Sequence, residues 1–105
     1  MSRIRKTVFT IGLNDKNTLN QIIPLQKAQN IVFDIVLGYY EGLTMNQGWG
    51  VYKMASGQSV YEQNLQVIIY FSDSESDLAI VEKLKQALNQ ESIAVESGLV
   101  DSKLI

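Results

Sequence analysis

A chain of 105 residues is the size of one ordinary domain and leaves no room for a second folding unit. Apolar residues at 46% and charged residues at 19% predict a folded core, and the absence of cysteine and histidine excludes disulfides, thiol chemistry, Cys/His zinc sites and any triad with a histidine base. Nine Lys+Arg against eleven Asp+Glu give a formal net charge of −2, so a nucleic-acid backbone is not an expected partner.

Arg3, Arg5 and Lys6 form the one basic cluster, and residues 1–5 read as a short basic tail. Residues 6–13 then alternate, with Thr7, Phe9, Ile11 and Leu13 on one parity, which predicts a strand with an apolar inner face. After a polar turn over 14–17, Thr18 followed by Gln21 matches a capping box, although Pro24 fits best in the first turn of a helix. Leu25, Ala28, Val32, Ile35 or Val36, and Tyr39 recur at steps of three and four, so that helix is expected to run to about Tyr39. Gly38 or Gly42 would close it.

From Leu43 the period changes to two. Leu43, Met45, Trp49 and Val51 share one face, while Thr44, Asn46, Gly48, Gly50 and Tyr52 share the other, with a bulge allowed at the glycines. A turn over 55–58 leads into a third strand over 60–71, completing a hairpin. Asp73, Glu75 and Asp77 open a second helix, whose buried face is predicted at Leu78, Val81, Leu84 and Leu88, with Lys83 and Lys85 toward its rear. A short fourth strand over 92–97 is expected to break at Gly98, leaving 98–105 as an extension. The order β-α-β-β-α-β predicts an α+β, ferredoxin-like domain: a four-stranded antiparallel sheet with both helices on one face. The opposite face has no covering layer, and its aromatic residues favour self-association.

Gly42-Leu43-Thr44 before the second strand, Gly48-Trp49, Gly57 at the hairpin turn, Glu62 entering an apolar strand, and Gln90-Glu91-Ser92-Ile93 after the second helix together form a pattern. It resembles a bacterial family catalogued as domain of unknown function 3574, mainly over residues 42–93. The resemblance implies a ferredoxin-like fold and carries no established activity.

Among single residues, Glu62 stands out as a lone carboxylate in a strand that soon becomes strongly apolar, where burial makes a proton carrier; its ordinary alternative is an edge charge paired with Lys53. Tyr39 and Tyr40 with Glu41 close the first helix and either pack there or line a ligand, and Tyr52 and Tyr61 are expected as cross-strand neighbours. The Asp73, Glu75, Asp77 run lacks the glycine and the distal glutamate of a calcium loop and reads as helix capping, so neither metal nor cofactor is expected.

Two functions lead, ahead of a third in which the small polar hairpin tip around Ala55 to Ser59 docks on a partner. One is a non-catalytic cytoplasmic module that self-associates, a dimer being favoured, through Trp49, Tyr52, Tyr61, Tyr39, Tyr40 and Lys53, and holds a small ligand or protein on its sheet. The other is a cofactor-independent enzyme with a carboxylate/tyrosine pocket between sheet and helices, Glu62 or Glu41 acting as acid/base and Tyr52 or Tyr61 orienting substrate. No apolar run is long enough to span a bilayer, so no membrane partner is expected.

Overall fold

A computed structural model describes residues 2–105. The elements are β1 (Ser2–Gly12), α1 (Leu25–Val36), β2 (Thr44–Lys53), β3 (Ser59–Tyr70), α2 (Ser74–Ala87) and β4 (Ala94–Ser102). They form one antiparallel sheet in the order β2-β3-β1-β4, with the two helices contributing to one core. This is the α+β, ferredoxin-like arrangement expected from the element order. The parity of β1 is also as read: Thr7, Phe9, Ile11 and Leu13 are buried together with Leu65, Val67 and Ile69 of β3. Ala28, Val32 and Val36 of α1 and Ile80 and Leu84 of α2 close over them. Each of the buried Val, Leu, Ile and Phe side chains contributes about 1.5–3 kcal/mol by leaving water.

Several boundaries differ from the sequence reading, each for a local reason. No helix forms at Thr18. The Asp15 carboxylate accepts the amides of Asn17 and Thr18, and the Thr18 hydroxyl bonds the backbone at Asn20, so side chains satisfy the groups that a helical turn would use. The helix begins instead after Pro24, whose carbonyl accepts the Ala28 amide at 2.9 Å. It ends at Val36, with Leu37 as its cap rather than Gly38 or Gly42. Gly98 does not break β4, because it pairs with Lys6 in an unbroken register that reaches Ser102. Arg3 and Arg5 are not a tail either, since both lie in β1 opposite Asp101 and Leu99.

The largest correction concerns α2. Leu78 is 69% exposed, whereas Asp77 is buried. Asp77, Ile80 and Leu84 lie at steps of three and four on the inward stripe, and Leu78 is one residue off it. The buried carboxylate is fully partnered. Its Oδ2 accepts the Arg5 guanidinium and the Thr7 hydroxyl, both at 2.7 Å, and its Oδ1 accepts the Tyr40 hydroxyl at 2.6 Å. Asp73 caps the helix by accepting the Ser76 amide, which holds its own carboxyl below the usual range.

Burial and the bond to Asp77 push the Tyr40 hydroxyl up to about 12. The folded state therefore favours the protonated phenol. The associated stability is fully present below pH 10 and is lost as the pH rises through about 12. Urea titrations across that window should show stability falling with pH in the wild type and a shallower fall in Tyr40→Phe; parallel slopes would refute the assignment.

Candidate functional site

The β2-β3 hairpin is longer than the rest of the sheet. β1 pairs with β3 only from Asn64 to Tyr70, whereas β2 pairs with it back to Ser59. The part of the hairpin from Trp49 to Gln63 therefore projects, and the molecule extends 49 × 27 × 23 Å. Gly57 turns its tip at φ +88°, a left-handed conformation that side chains resist.

The pairing through Gly48, Trp49 and Gly50 is one-to-one with Asn64, Gln63 and Glu62, so there is no bulge. The glycines instead leave space on the open face. At Gly50 the Tyr52 hydroxyl lies 2.7 Å from where a Cβ would stand, so the tyrosine side chain lies over the glycine backbone. Gly12 of β1 does the same for Glu62: a Cβ there would stand within 2.6 Å of the carboxylate. Alanine at either position forces the overlying group to move.

Glu62 is half-buried, and its Oε2 accepts the Asn14 amide at 2.9 Å. It borders a pocket of about 440 Å³ where the loop after β1, the turn-side half of the hairpin and the residues after α2 converge. Thr10, Lys16, Tyr52, Asn64 and Gln90 contribute to the lining. The arrangement offers a fixed carboxylate, an aromatic ring and several amide and hydroxyl groups, which suits a small polar molecule with a positive charge. The loop is fastened from below, as Asn89 donates to Asp15 at 2.7 Å, a bond that leads the causes holding the Asp15 carboxyl below its usual range.

The register separates the other sequence candidates from Glu62. Tyr61 pairs with Val51 and Tyr52 with Val60, so Tyr52 and Tyr61 are not opposite one another and point to different faces. Tyr52 shares the face of Glu62. Tyr61 lies with Trp49 and Val51 on the helix-side parity, at 65%, 68% and 57% exposure, because the hairpin has passed beyond the helices. Lys53 pairs with Ser59 and not with Glu62, whose partner is Gly50.

Glu41 is at the far end of the hairpin from Glu62, beside a separate pocket of about 650 Å³ with Tyr39, Tyr40, Thr44 and Phe71. Tyr40 is committed to Asp77 and Asp73, and the Lys83 ammonium lies 5.1 Å from the Tyr39 ring. Both pockets lie at the ends of the sheet, since the space between sheet and helices is filled by the core. Asn14 and Gln90 had no distinguishing signal in the sequence: Asn14 meets Glu62 across 48 positions, and Gln90 meets Asn14 across 76. Among the described residues, no cluster of three or more acidic, cysteine or histidine side chains is placed to hold a metal ion.

No family model matches the chain, and no curated protein matches it. Solved structures do. A phage SAM lyase in complex with S-methyl-5'-thioadenosine superimposes with a TM-score of 0.65 and 22% identity, over 90% of this chain and 80% of that one. The periplasmic divalent cation tolerance protein CutA from Archaeoglobus fulgidus gives 0.55 and 8% identity, over 94% and 87%. GlnK from B. subtilis, in a complex with ATP, gives 0.50 and 14%, over 92% and 84%. At these identities the likeness is one of fold.

Proposed function

We propose that the chain is a cofactor-independent enzyme that binds an S-adenosylmethionine-type sulfonium beside Glu62 and cleaves a carbon–sulfur bond to release the neutral thioether S-methyl-5'-thioadenosine. The observation that carries this reading is the held carboxylate: Glu62 lies over Gly12, is fixed by the Asn14 amide and borders an open pocket. A sulfonium is a cation without hydrogen-bond donors of its own, so a carboxylate meets it by charge alone. Tyr52 on the same face offers a ring to the nucleoside part. The likeness to a phage SAM lyase, whose complex contains S-methyl-5'-thioadenosine, supports the choice among cationic ligands. The step balances without another reactant if the substrate's own carboxylate attacks the γ-carbon: a carbon–oxygen bond forms to give homoserine lactone as the carbon–sulfur bond breaks, the electron pair stays on sulfur, and the sulfonium and carboxylate charges disappear together.

The test is direct. Purified protein incubated with S-adenosylmethionine should release S-methyl-5'-thioadenosine, and calorimetric titration with that product should show saturable binding. Neither turnover nor binding at millimolar concentration would overturn the proposal.

A second reading, self-association, is favoured by Trp49, Val51 and Tyr61, which lie exposed together on the projecting hairpin. A large apolar cluster of this kind is rarely left in water. Light scattering should give a mass above 11.8 kDa for the wild type and a shift toward it in Trp49→Ala and Tyr61→Glu. A wild-type monomer at high concentration would refute this. No helix among the described residues is long and apolar enough to cross a membrane.

A further inference from the structure

Gln90 borders the same pocket as Glu62, yet its buried side-chain N–H groups are used on backbone carbonyls. Gln90 is 8% exposed and follows α2, where polar residues ordinarily face solvent. Its Nε2 donates to the Asn14 carbonyl at 2.7 Å and to the Leu88 carbonyl at 3.3 Å. Its own amide is held by the Lys85 carbonyl at 2.9 Å. Asn14 is thereby gripped from both sides of its peptide groups: its carbonyl by Gln90, its amide by the Glu62 carboxylate at 2.9 Å. The side-chain amide of Asn14 also donates to the Tyr61 carbonyl at 3.2 Å, and Leu13 donates its amide to Gln63, so the same residue is stitched to the strand that carries Glu62.

The neighbouring position repeats the connection. Asn89 occupies the left-handed region at φ 49°, unusual for a residue with a side chain. In that conformation its carbonyl accepts the Lys16 amide at 3.1 Å while its side chain donates to Asp15. Two consecutive residues after α2 therefore fasten three consecutive residues after β1.

We propose that Gln90 is a positioning residue for Glu62, acting through the Asn14 peptide: it fixes the amide that sets where the carboxylate stands in the pocket. The role in ligand handling rests on the reading of Glu62 given above, while the mechanical connection does not. The chemistry fits glutamine and little else. Both bonds require N–H donors, so methionine of similar length leaves two carbonyls without a partner, and glutamate turns a lone pair toward each of them.

Amide hydrogen exchange followed by NMR tests the connection without any ligand. In the wild type, the Gln90 side-chain amide protons and the Asn14 amide should both be protected from solvent. In Gln90→Met the Asn14 amide should exchange roughly fivefold to tenfold faster, as expected for loss of one ordinary hydrogen bond, with Ile11 and Val67 unchanged. Solvent-fast Gln90 protons in the wild type would overturn the proposal without need of a variant. So would an Asn14 rate in Gln90→Met that moves only in step with Ile11 and Val67, the pattern of a purely structural role.

The ligand arm is separate. Gln90→Met should weaken S-adenosylmethionine binding, and should do so much less in a Glu62→Ala background, because both changes act through one carboxylate. Equal losses in both backgrounds would overturn the positioning role. Absence of any binding by the wild type would remove the sulfonium reading, and the exchange rates would still decide the role of Gln90.

Discussion

Glu62→Gln should lower S-adenosylmethionine turnover by about 10²–10³, the usual consequence of deleting one preorganised electrostatic group in an active site. The substitution is nearly isosteric, and the glutamine side-chain oxygen can still accept the Asn14 amide, so the shape of the pocket over Gly12 is retained. Only the charge is removed. The consequence is selective because substrate and product differ in charge at sulfur. Affinity for the cationic sulfonium should fall, while affinity for neutral S-methyl-5'-thioadenosine should change by less than about threefold, since no ionic contact is lost. Steady-state kinetics and calorimetry with the product measure the two quantities. Unchanged turnover in a well-folded Glu62→Gln would sink the assignment of the carboxylate, as would an equal loss of affinity for both molecules.

The second large effect is on stability. Asp77→Ala should cost about 3 kcal/mol in urea unfolding, near the lower end of the range for breaking a buried ion pair. The lower end applies because the Arg5 side chain is 28% exposed and recovers some hydration once its partner is gone, whereas Asp77 itself is only 5% exposed. The cost remains large because three donors lose their acceptor together: Arg5, Thr7 and Tyr40. For a domain of this size the midpoint of thermal unfolding should drop by roughly 12 °C or more. Arg5→Leu combined with Asp77→Leu should recover part of the loss, since removing both charges leaves none unpaired. A cost below about 1 kcal/mol for Asp77→Ala would show that the network contributes little to the fold.

The two predictions concern opposite ends of the sheet. The network of Arg5, Thr7, Tyr40, Ser72 and Asp77 ties the start of β1 to the start of α2. At the other end, the loop after β1 holds Glu62 through the Asn14 amide, and the residues after α2 fasten that loop. In both places a carboxylate is fixed by donors from distant segments, and the difference lies in what remains open: Asp77 is enclosed by its partners, whereas Glu62 borders free space. That difference separates a structural acid from a candidate functional one.

The sequence pattern misread Asp77 because local rules favoured another role. An aspartate in the first turn of a helix ordinarily answers the helix dipole, and leucine at the next position ordinarily faces inward. Arg5, 72 positions away, reverses both expectations by supplying a part-buried cation. The capping box at Thr18 failed for a related reason, since the Asp15 side chain takes the Thr18 amide that the Gln21 side chain would have met. Glu62 was visible as a lone acid in an apolar strand. Its separation from Tyr61 and Glu41 was not, because only the register and the overhang of the hairpin decide which residues share its face and its end.

By itself, then, the sequence determined the elements that repeat a local period: the apolar parity of β1, the inward stripe of α1, and the β-α-β-β-α-β order with its antiparallel sheet. Periodicity reports burial because neighbouring residues of one element meet the same core. The absence of cysteine and histidine also confined any acid-base chemistry to carboxylates, tyrosines and lysines. The tertiary structure alone decided which carboxylate is enclosed, which is held beside open space, and that Gln90 reaches Asn14 across 76 positions. Such bonds depend on where the chain returns in space, and no local period encodes that return.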